Sequence, residues 1–273
     1  MAITSENLLT ISGWPVSFTK YGSGKELLFA FHGYGQSAQV FKSFKEIIGN
    51  KYTIVSFDLL FHGELAGKTI PSAYLTRNNL KEQIQYFLDA HSCKTFSVIG
   101  YSLGGKLAMN CLEIFPENIH KLVLMAPDGI KVNPFYKFVT RTSLGKSIYQ
   151  FTINSPGIVF FINRLSHALG FINQKVFRFV NDSLESKDKR QKVFDAWLVY
   201  SRMLPDIDKI ASLINQHKIN VKLFFGQYDS IIHPKKGKKL INKLENKSVV
   251  EVLDTGHNLF TEREKIAQYL LQG

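Results

Sequence analysis

Cysteine is almost absent from this chain. Only Cys93 and Cys111 occur, too few for a disulfide framework and at a spacing that matches no metal site. Both read as free thiols in a reducing, cytoplasmic setting. Long apolar runs are missing as well. Leu27–Phe31 and Ile158–Ile162, at five residues each, are among the longest. A membrane-spanning helix needs ~20. Met1–Trp14 has neither a basic leader nor a continuous apolar stretch, so no signal peptide is expected. Acidic residues are scarce, 22 against 34 basic ones, for a net charge of +12.

What remains is globular in composition. The chain has 273 residues, 45% hydrophobic and 21% charged. Such a chain buries a large core without staples, as one large domain or two small ones. Nucleic acid, anionic lipid or an acidic partner would each answer a positive charge. Lysine supplies 27 of the 34 basic residues, and arginine only seven. Arginine is the side chain that grips phosphate bidentately and reads bases, so nucleic acid is not an expected partner. A compositional bias toward Lys, Ile and Asn accounts for the charge over most of the chain. The segment Gly129–Pro205 departs from it, with twelve basic residues against four acids, or +8 of the +12.

Strand-like and helix-like stretches alternate. Leu8–Ile11 and Val16–Tyr21 read as an opening hairpin. Strands follow at Leu27–Phe31, Tyr52–Phe57, Phe96–Ile99, Leu122–Met125, Val221–Phe225 and Val249–Leu253. Helical spacing lies between them at Ala38–Ile48, Leu80–Ala90, Leu103–Phe115, Pro234–Leu244 and Leu259–Leu271. Continuous apolar strands in a β-α-β-α order predict an α/β protein, a parallel sheet with helices on both faces. The segment Gly129–Pro205 breaks the rhythm. It carries nine phenylalanines without strand alternation and reads as several short helices inserted after one strand. Its Ile158–Phe161 stretch, with Arg164 nearby, offers a lipid-facing reading. A buried helix is the expectation instead, so membrane contact is not expected.

The sharpest chemical signal is Gly100-Tyr101-Ser102-Leu103-Gly104, between a strand and a helix. A serine on such a turn is held in a strained backbone with its hydroxyl lifted clear, and flanking glycines let the turn close. The helix N-terminus favours developing negative charge. A nucleophilic serine needs a base and an orienting acid. Asp229 follows the strand Val221–Phe225, and His257 follows Val249–Leu253. In a parallel sheet these strand ends share one edge with Ser102. Asp254 is the rival acid, disfavoured by its nearness to His257 in sequence. A tetrahedral intermediate also needs an oxyanion hole. The backbone N–H groups of Leu103, after the nucleophile, and of Tyr34, in the turn His32-Gly33-Tyr34-Gly35, are the candidate donors. His32 is read as a structural histidine of that loop.

These residues together resemble the α/β-hydrolase superfamily, in its capped esterase- and lipase-like branch. The resemblance rests on His-Gly-Tyr-Gly at 32–35, Asp58 with His62-Gly63, the serine turn at 100–105, Asp229 and His257. It implies a mostly parallel eight-stranded sheet and a helical cap after strand six. The core would comprise residues 1–128 and 206–273, and the cap 129–205. One departure is the loop after Asp58. Members often read Asp-x-Pro-Gly-x-Gly-x-Ser there, and the proline, first glycine and serine are missing.

The implied activity is a serine hydrolase cleaving carboxylic esters, with Ser102, Asp229 and His257 as the triad and no metal or organic cofactor. Ser102 excludes the branches with an aspartate nucleophile. No histidine has an aspartate five residues on, which disfavours the His-x4-Asp acyltransferases. The serine turn also looks like that of pimeloyl-carrier-protein methyl ester esterases. A basic, Phe-rich cap would suit an acyl tunnel and an acidic carrier protein. The alternatives are therefore a carrier-protein or CoA thioesterase or a carrier-protein ester esterase, then a C–C bond hydrolase, then a non-catalytic binder.

Overall fold

The computed structural model describes residues 8–246 and 249–272, apart from the side chain of Phe179. The strands are β1 (Leu8–Ile11), β2 (Trp14–Tyr21), β3 (Glu26–Phe31), β4 (Tyr52–Phe57), β5 (Phe96–Tyr101), β6 (Ile119–Met125), β7 (Asn220–Gly226) and β8 (Val250–Leu253). The α-helices are α1 (Lys45–Ile48), α2 (Arg77–Ala90), α3 (Leu103–Ile114), α4 (Pro134–Arg141), α5 (Ser143–Asn154), α6 (Gly157–Ala168), α7 (Gln174–Leu184), α8 (Lys187–Val199), α9 (Ile207–Gln216), α10 (Lys238–Ile241) and α11 (Arg263–Leu271).

The eight strands form one sheet in the order β1-β2-β4-β3-β5-β6-β7-β8. β1 and β2 run antiparallel, as does β2 against β4, and every later pairing is parallel. The expected mostly parallel sheet is therefore present. β5 is buried along its whole length, and β3 at all but its first residue, because helices cover both faces. Phe18, Phe29 and Phe57 all pack on Phe87 of α2, with centroids 4.8–6.3 Å apart and edge-to-face geometry. Burying each such ring contributes about 2–3 kcal/mol, so this cluster anchors α2 to the sheet. α2 itself starts at a capping box, in which Thr76 and Asn79 satisfy each other's backbone.

α3 meets β3 at close range. A Cβ on Gly104 would lie 2.1 Å from the Phe31 carbonyl oxygen. A Cβ on Gly100 would lie 2.5 Å from the Gly104 carbonyl oxygen. Only glycine permits this approach, and it sets the start of α3 directly beside the end of β3.

The chain divides into two compact units. One is a helical unit of residues 72–74 and 132–202, and the other holds the sheet. The helical unit contains α4–α8, all between β6 and β7 in the chain. Thr142, Asn173 and Ser186 cap its helices by accepting from first-turn amides. Its interior is aromatic: Tyr149 stacks on Phe194 at 5.2 Å, and Trp197 lies against Tyr136 and Tyr149. Arg190 is buried there and donates to the carbonyls of Ile153, Leu184 and Glu185.

Two expectations for this unit need correction. Ile158 and Phe161 are exposed, not buried. Nor are most of its described phenylalanines enclosed. Phe135, Phe138, Phe151, Phe161 and Phe171 are exposed, and Phe160 and Phe177 are half-buried. Phe194 is buried, and the side chain of Phe179 lies outside the described residues. The physical reason is polarity of the packing face. α6 turns Asn163 inward, where its amide donates to Asn181 and the Phe177 carbonyl. Its apolar residues are left on the outside.

Candidate active site

The site is assembled where the six parallel strands, β3 to β8, end on one edge. β5 runs into Ser102, whose φ of +49° and ψ of −113° are rare for a residue with a Cβ. Its neighbours hold this conformation. The Ser102 N–H donates to the Met125 carbonyl at 2.9 Å. The Ser102 carbonyl accepts from Gly105 N–H at 2.9 Å and from Asp128 N–H at 2.8 Å. Asp128 is fixed in turn. Its carboxylate lies 2.8 Å from the Nζ of Lys106, whose side chain is 2% exposed one turn into α3. The sharp turn that glycine spacing predicts is thus latched from β6.

His257 comes to this serine from beyond β8. Its Nε2 lies 3.2 Å from Ser102 Oγ across 155 residues of chain. Its Nδ1 lies 2.7 Å from Asp229 Oδ2. A carboxylate only accepts, so Nδ1–H donates to Asp229 and Nε2 is left to accept from the serine hydroxyl. Asp229 is buried at the end of the turn after β7. Its Oδ1 accepts from the N–H groups of Ile231 and Ile232, each at 2.8 Å. Burial pushes this carboxyl up, but the bond to His257 and the two amides outweigh it and hold it below the usual aspartate range. The rival Asp254 is exposed, and its carboxylate raises the Tyr228 hydroxyl above the usual tyrosine range.

The turn after β3 presses on the same spot. A Cβ on Gly33 would come within 2.8 Å of the Tyr101 ring and 3.2 Å of Ser102 Cβ. Gln36 closes this turn from both sides, accepting from Gly33 N–H at 3.0 Å and donating to its carbonyl at 3.3 Å. Gly35 follows at φ +79°. The N–H groups of Tyr34 and Leu103 donate to no group among the described residues. Leu103 opens α3, where first-turn amides have no helical acceptor. His32 is fully buried. Its Nε2 accepts from Leu59 N–H at 3.0 Å, and its Nδ1 lies 2.7 Å from the Gly33 carbonyl. It is the structural histidine the sequence predicts.

Two contributors lie within motifs the sequence marked, but their contacts carry no sequence signal. The Tyr101 hydroxyl donates to the His257 carbonyl at 2.9 Å, and its ring lies 5.3 Å from the imidazole. Burial keeps that hydroxyl protonated. Asp58 ties three segments, accepting from Ala38 N–H at 2.7 Å, Ser17 Oγ–H at 2.8 Å and Glu64 N–H at 3.2 Å. The sequence marked Asp58 only as part of a motif. The ring of His62 from this loop meets Tyr34 edge-on at 5.1 Å. Among the described residues, no group of three or more His, Cys, Asp or Glu is placed to hold a metal ion. No described helix is long and apolar enough to cross a membrane.

Comparison with known proteins agrees with this architecture. "Uncharacterized hydrolase YugF" of Bacillus subtilis is 23% identical over 268 residues, 97% of this chain and 96% of its own. An esterase from Thermogutta terrifontis superposes with a TM-score of 0.65 at 17% identity, over 97% of this chain and 96% of that one. Carboxylesterase CesB of Bacillus subtilis superposes with a TM-score of 0.60 at 19% identity, over 97% and 89%. These structural likenesses are of fold. The family model described as alpha/beta hydrolase fold matches residues 26–264, which takes in the Ser102 turn, Asp229 and His257. The chain belongs to the alpha/beta hydrolase fold family.

Proposed function

We propose that this protein is a serine hydrolase that cleaves carboxylic esters through an acyl-enzyme on Ser102. The observation that carries the reading is the relay Ser102 Oγ to His257 Nε2 at 3.2 Å and His257 Nδ1 to Asp229 at 2.7 Å. His257 takes the Ser102 proton as Oγ attacks the ester carbonyl. Asp229 holds the imidazole tautomer and stabilises the imidazolium. The carbonyl oxygen becomes an oxyanion, met by the Tyr34 and Leu103 amides. The C–O bond to the alcohol then breaks, and His257 returns the proton to the departing alkoxide. A water molecule, deprotonated by His257, attacks the acyl-enzyme, and the acid leaves as Ser102 regains its proton. No step calls on a metal or organic cofactor. The Thermogutta terrifontis esterase and carboxylesterase CesB, which share the fold, favour an ester over other acyl substrates.

The test is hydrolysis of p-nitrophenyl esters from acetyl to dodecanoyl, with Ser102→Ala alongside. A Ser102-dependent optimum at one chain length supports the reading. CoA and carrier-protein thioesters of that length then measure whether a carrier improves kcat/KM. No hydrolysis of any ester, with thioesters turned over, would replace the ester reading with a thioesterase.

A further inference from the structure

The helical unit carries an exposed apolar surface that the proposed ester chemistry does not use. Sixteen large hydrophobic residues are exposed in the described chain, and eleven of them lie within residues 132–202. They are ordered. On α6 and just beyond it, Ile158, Phe161, Ile162, Leu165 and Leu169 are each between 46% and 66% exposed. At 100° per residue these five positions fall within about 100° of one another, a single stripe about 16 Å long. On α5, Leu144, Ile148 and Phe151 are exposed at the same i, i+4, i+7 spacing.

α6 is therefore inverted relative to an ordinary surface helix. Its buried position is Asn163, hydrogen-bonded to α7, and its apolar stripe faces outward. The polar inward contact fixes this orientation, because Asn163 would lose both bonds if the helix rolled its stripe inward. An apolar surface of this extent on a protein marks something that covers it.

Charge says what covers it. From Gly129 to Asn181 there is no aspartate or glutamate, while Lys and Arg occur seven times. Arg164 is exposed beside the α6 stripe, and Lys175 and Arg178 are exposed on the adjoining α7. A second copy of the chain would bring two such acid-free basic segments together and be repelled. An anionic bilayer answers both features. Its headgroups attract the cations, and its acyl boundary receives the stripe. The stripe is about half the thickness of a bilayer core, which fits a helix lying in the interface.

We propose that the outward face of α6, with the exposed apolar face of α5, docks on the surface of an anionic lipid bilayer. The sequence favours a buried helix here over a lipid-facing one, and the exposure of Ile158 and Phe161 is what turns the preference to lipid. It rests on exposure and charge and not on the Ser102 chemistry, so the two stand or fall separately.

The test is co-sedimentation of the full chain with vesicles of phosphatidylcholine alone or mixed equally with phosphatidylglycerol. The wild type and Ser102→Ala are expected to pellet alike with the anionic vesicles, less at high salt, and weakly with phosphatidylcholine alone. Phe161→Ser/Ile162→Ser keeps the charge and changes only exposed positions. It is expected to lower the partition coefficient at least about tenfold with an unchanged thermal melt. Arg164→Gln/Lys175→Gln/Arg178→Gln should flatten the salt dependence. Tyr86→Ser, an exposed aromatic on α2, should bind like wild type. The proposal is overturned if the wild type stays in the supernatant with anionic vesicles, or if Phe161→Ser/Ile162→Ser pellets like wild type. A dimer in sedimentation velocity that this double variant disperses would overturn it in favour of a second copy.

Discussion

Replacing Asp229 by asparagine changes one atom of the proposed relay and leaves its shape. Asp229 Oδ1 accepts from the Ile231 and Ile232 amides at 2.8 Å, and an asparagine carbonyl would keep both bonds. The new amide nitrogen would then replace Oδ2, which lies 2.7 Å from His257 Nδ1. That nitrogen donates, so Nδ1 must accept, and the imidazole proton moves to Nε2. There it faces Ser102 Oγ at 3.2 Å, where a base has to accept. The fold stays intact while the base is held in the wrong tautomer. The expected loss in kcat is ~10⁴-fold, or about 5.5 kcal/mol of transition-state stabilisation. The assay is kcat and kcat/KM for p-nitrophenyl butyrate, with a thermal melt beside it. A folded variant within tenfold of wild type would refute the role of Asp229. A pH series adds a second readout. Because the folded-state pKa of Asp229 is depressed, the stability it contributes is present above its unfolded value of about 3.9. That stability is lost as pH falls through the folded value. The difference in unfolding free energy between wild type and Asp229→Asn should therefore narrow below about pH 4.

Two further predictions concern the scaffold. Lys106→Met leaves the Asp128 carboxylate, whose side chain is 41% exposed, free to hydrate, and should cost about 1 kcal/mol in urea unfolding. Asp128→Ala withdraws the counter-charge from a buried ammonium and should cost about 3 kcal/mol, and the reverse order would show that the pair does not latch the turn. Gly104→Ala forces a Cβ to 2.1 Å from the Phe31 carbonyl oxygen and should cost at least about 3 kcal/mol or yield no folded protein. Gly256→Ala, with open space around its Cβ position, should stay within about 0.5 kcal/mol, and equal losses at the two sites would discount the close approach of α3.

All eight expected runs are strands, and central ones such as β3, β4 and β5 were legible because burial on both faces leaves continuous apolar runs. β1 and β4 match their expected ranges, and the other six shift at an end by one to three residues, as at β6, which starts at Ile119 where Leu122 was expected. Three helical stretches read from spacing were only partly α-helical. Ala38–Phe44, Pro234–Gly237 and Leu259–Glu262 are tight 3-10 turns that precede short α-helices. Apolar spacing does not separate these two geometries over so few residues. The strand order, with β4 between β2 and β3, is set by long-range pairing that no local pattern records. Ser102, Asp229 and His257 were legible as candidates because each follows a strand of one parallel sheet. Tyr101 and His257 are 156 residues apart, and nothing in either local sequence points to the other. The same holds for Lys106 and Asp128. The stripe on α6 has a period that reads alike for a buried or an exposed face. Only the inward bonds of Asn163 decide it.

The most direct test of the proposed chemistry is to trap the covalent intermediate. The protein would be mixed with a p-nitrophenyl ester, quenched in acid within the first turnover, and mapped by peptide mass spectrometry. The account predicts one acyl group, on the peptide containing Ser102, absent from Ser102→Ala and strongly reduced in His257→Ala. An acyl group on another residue, or full ester hydrolysis by Ser102→Ala, would contradict it.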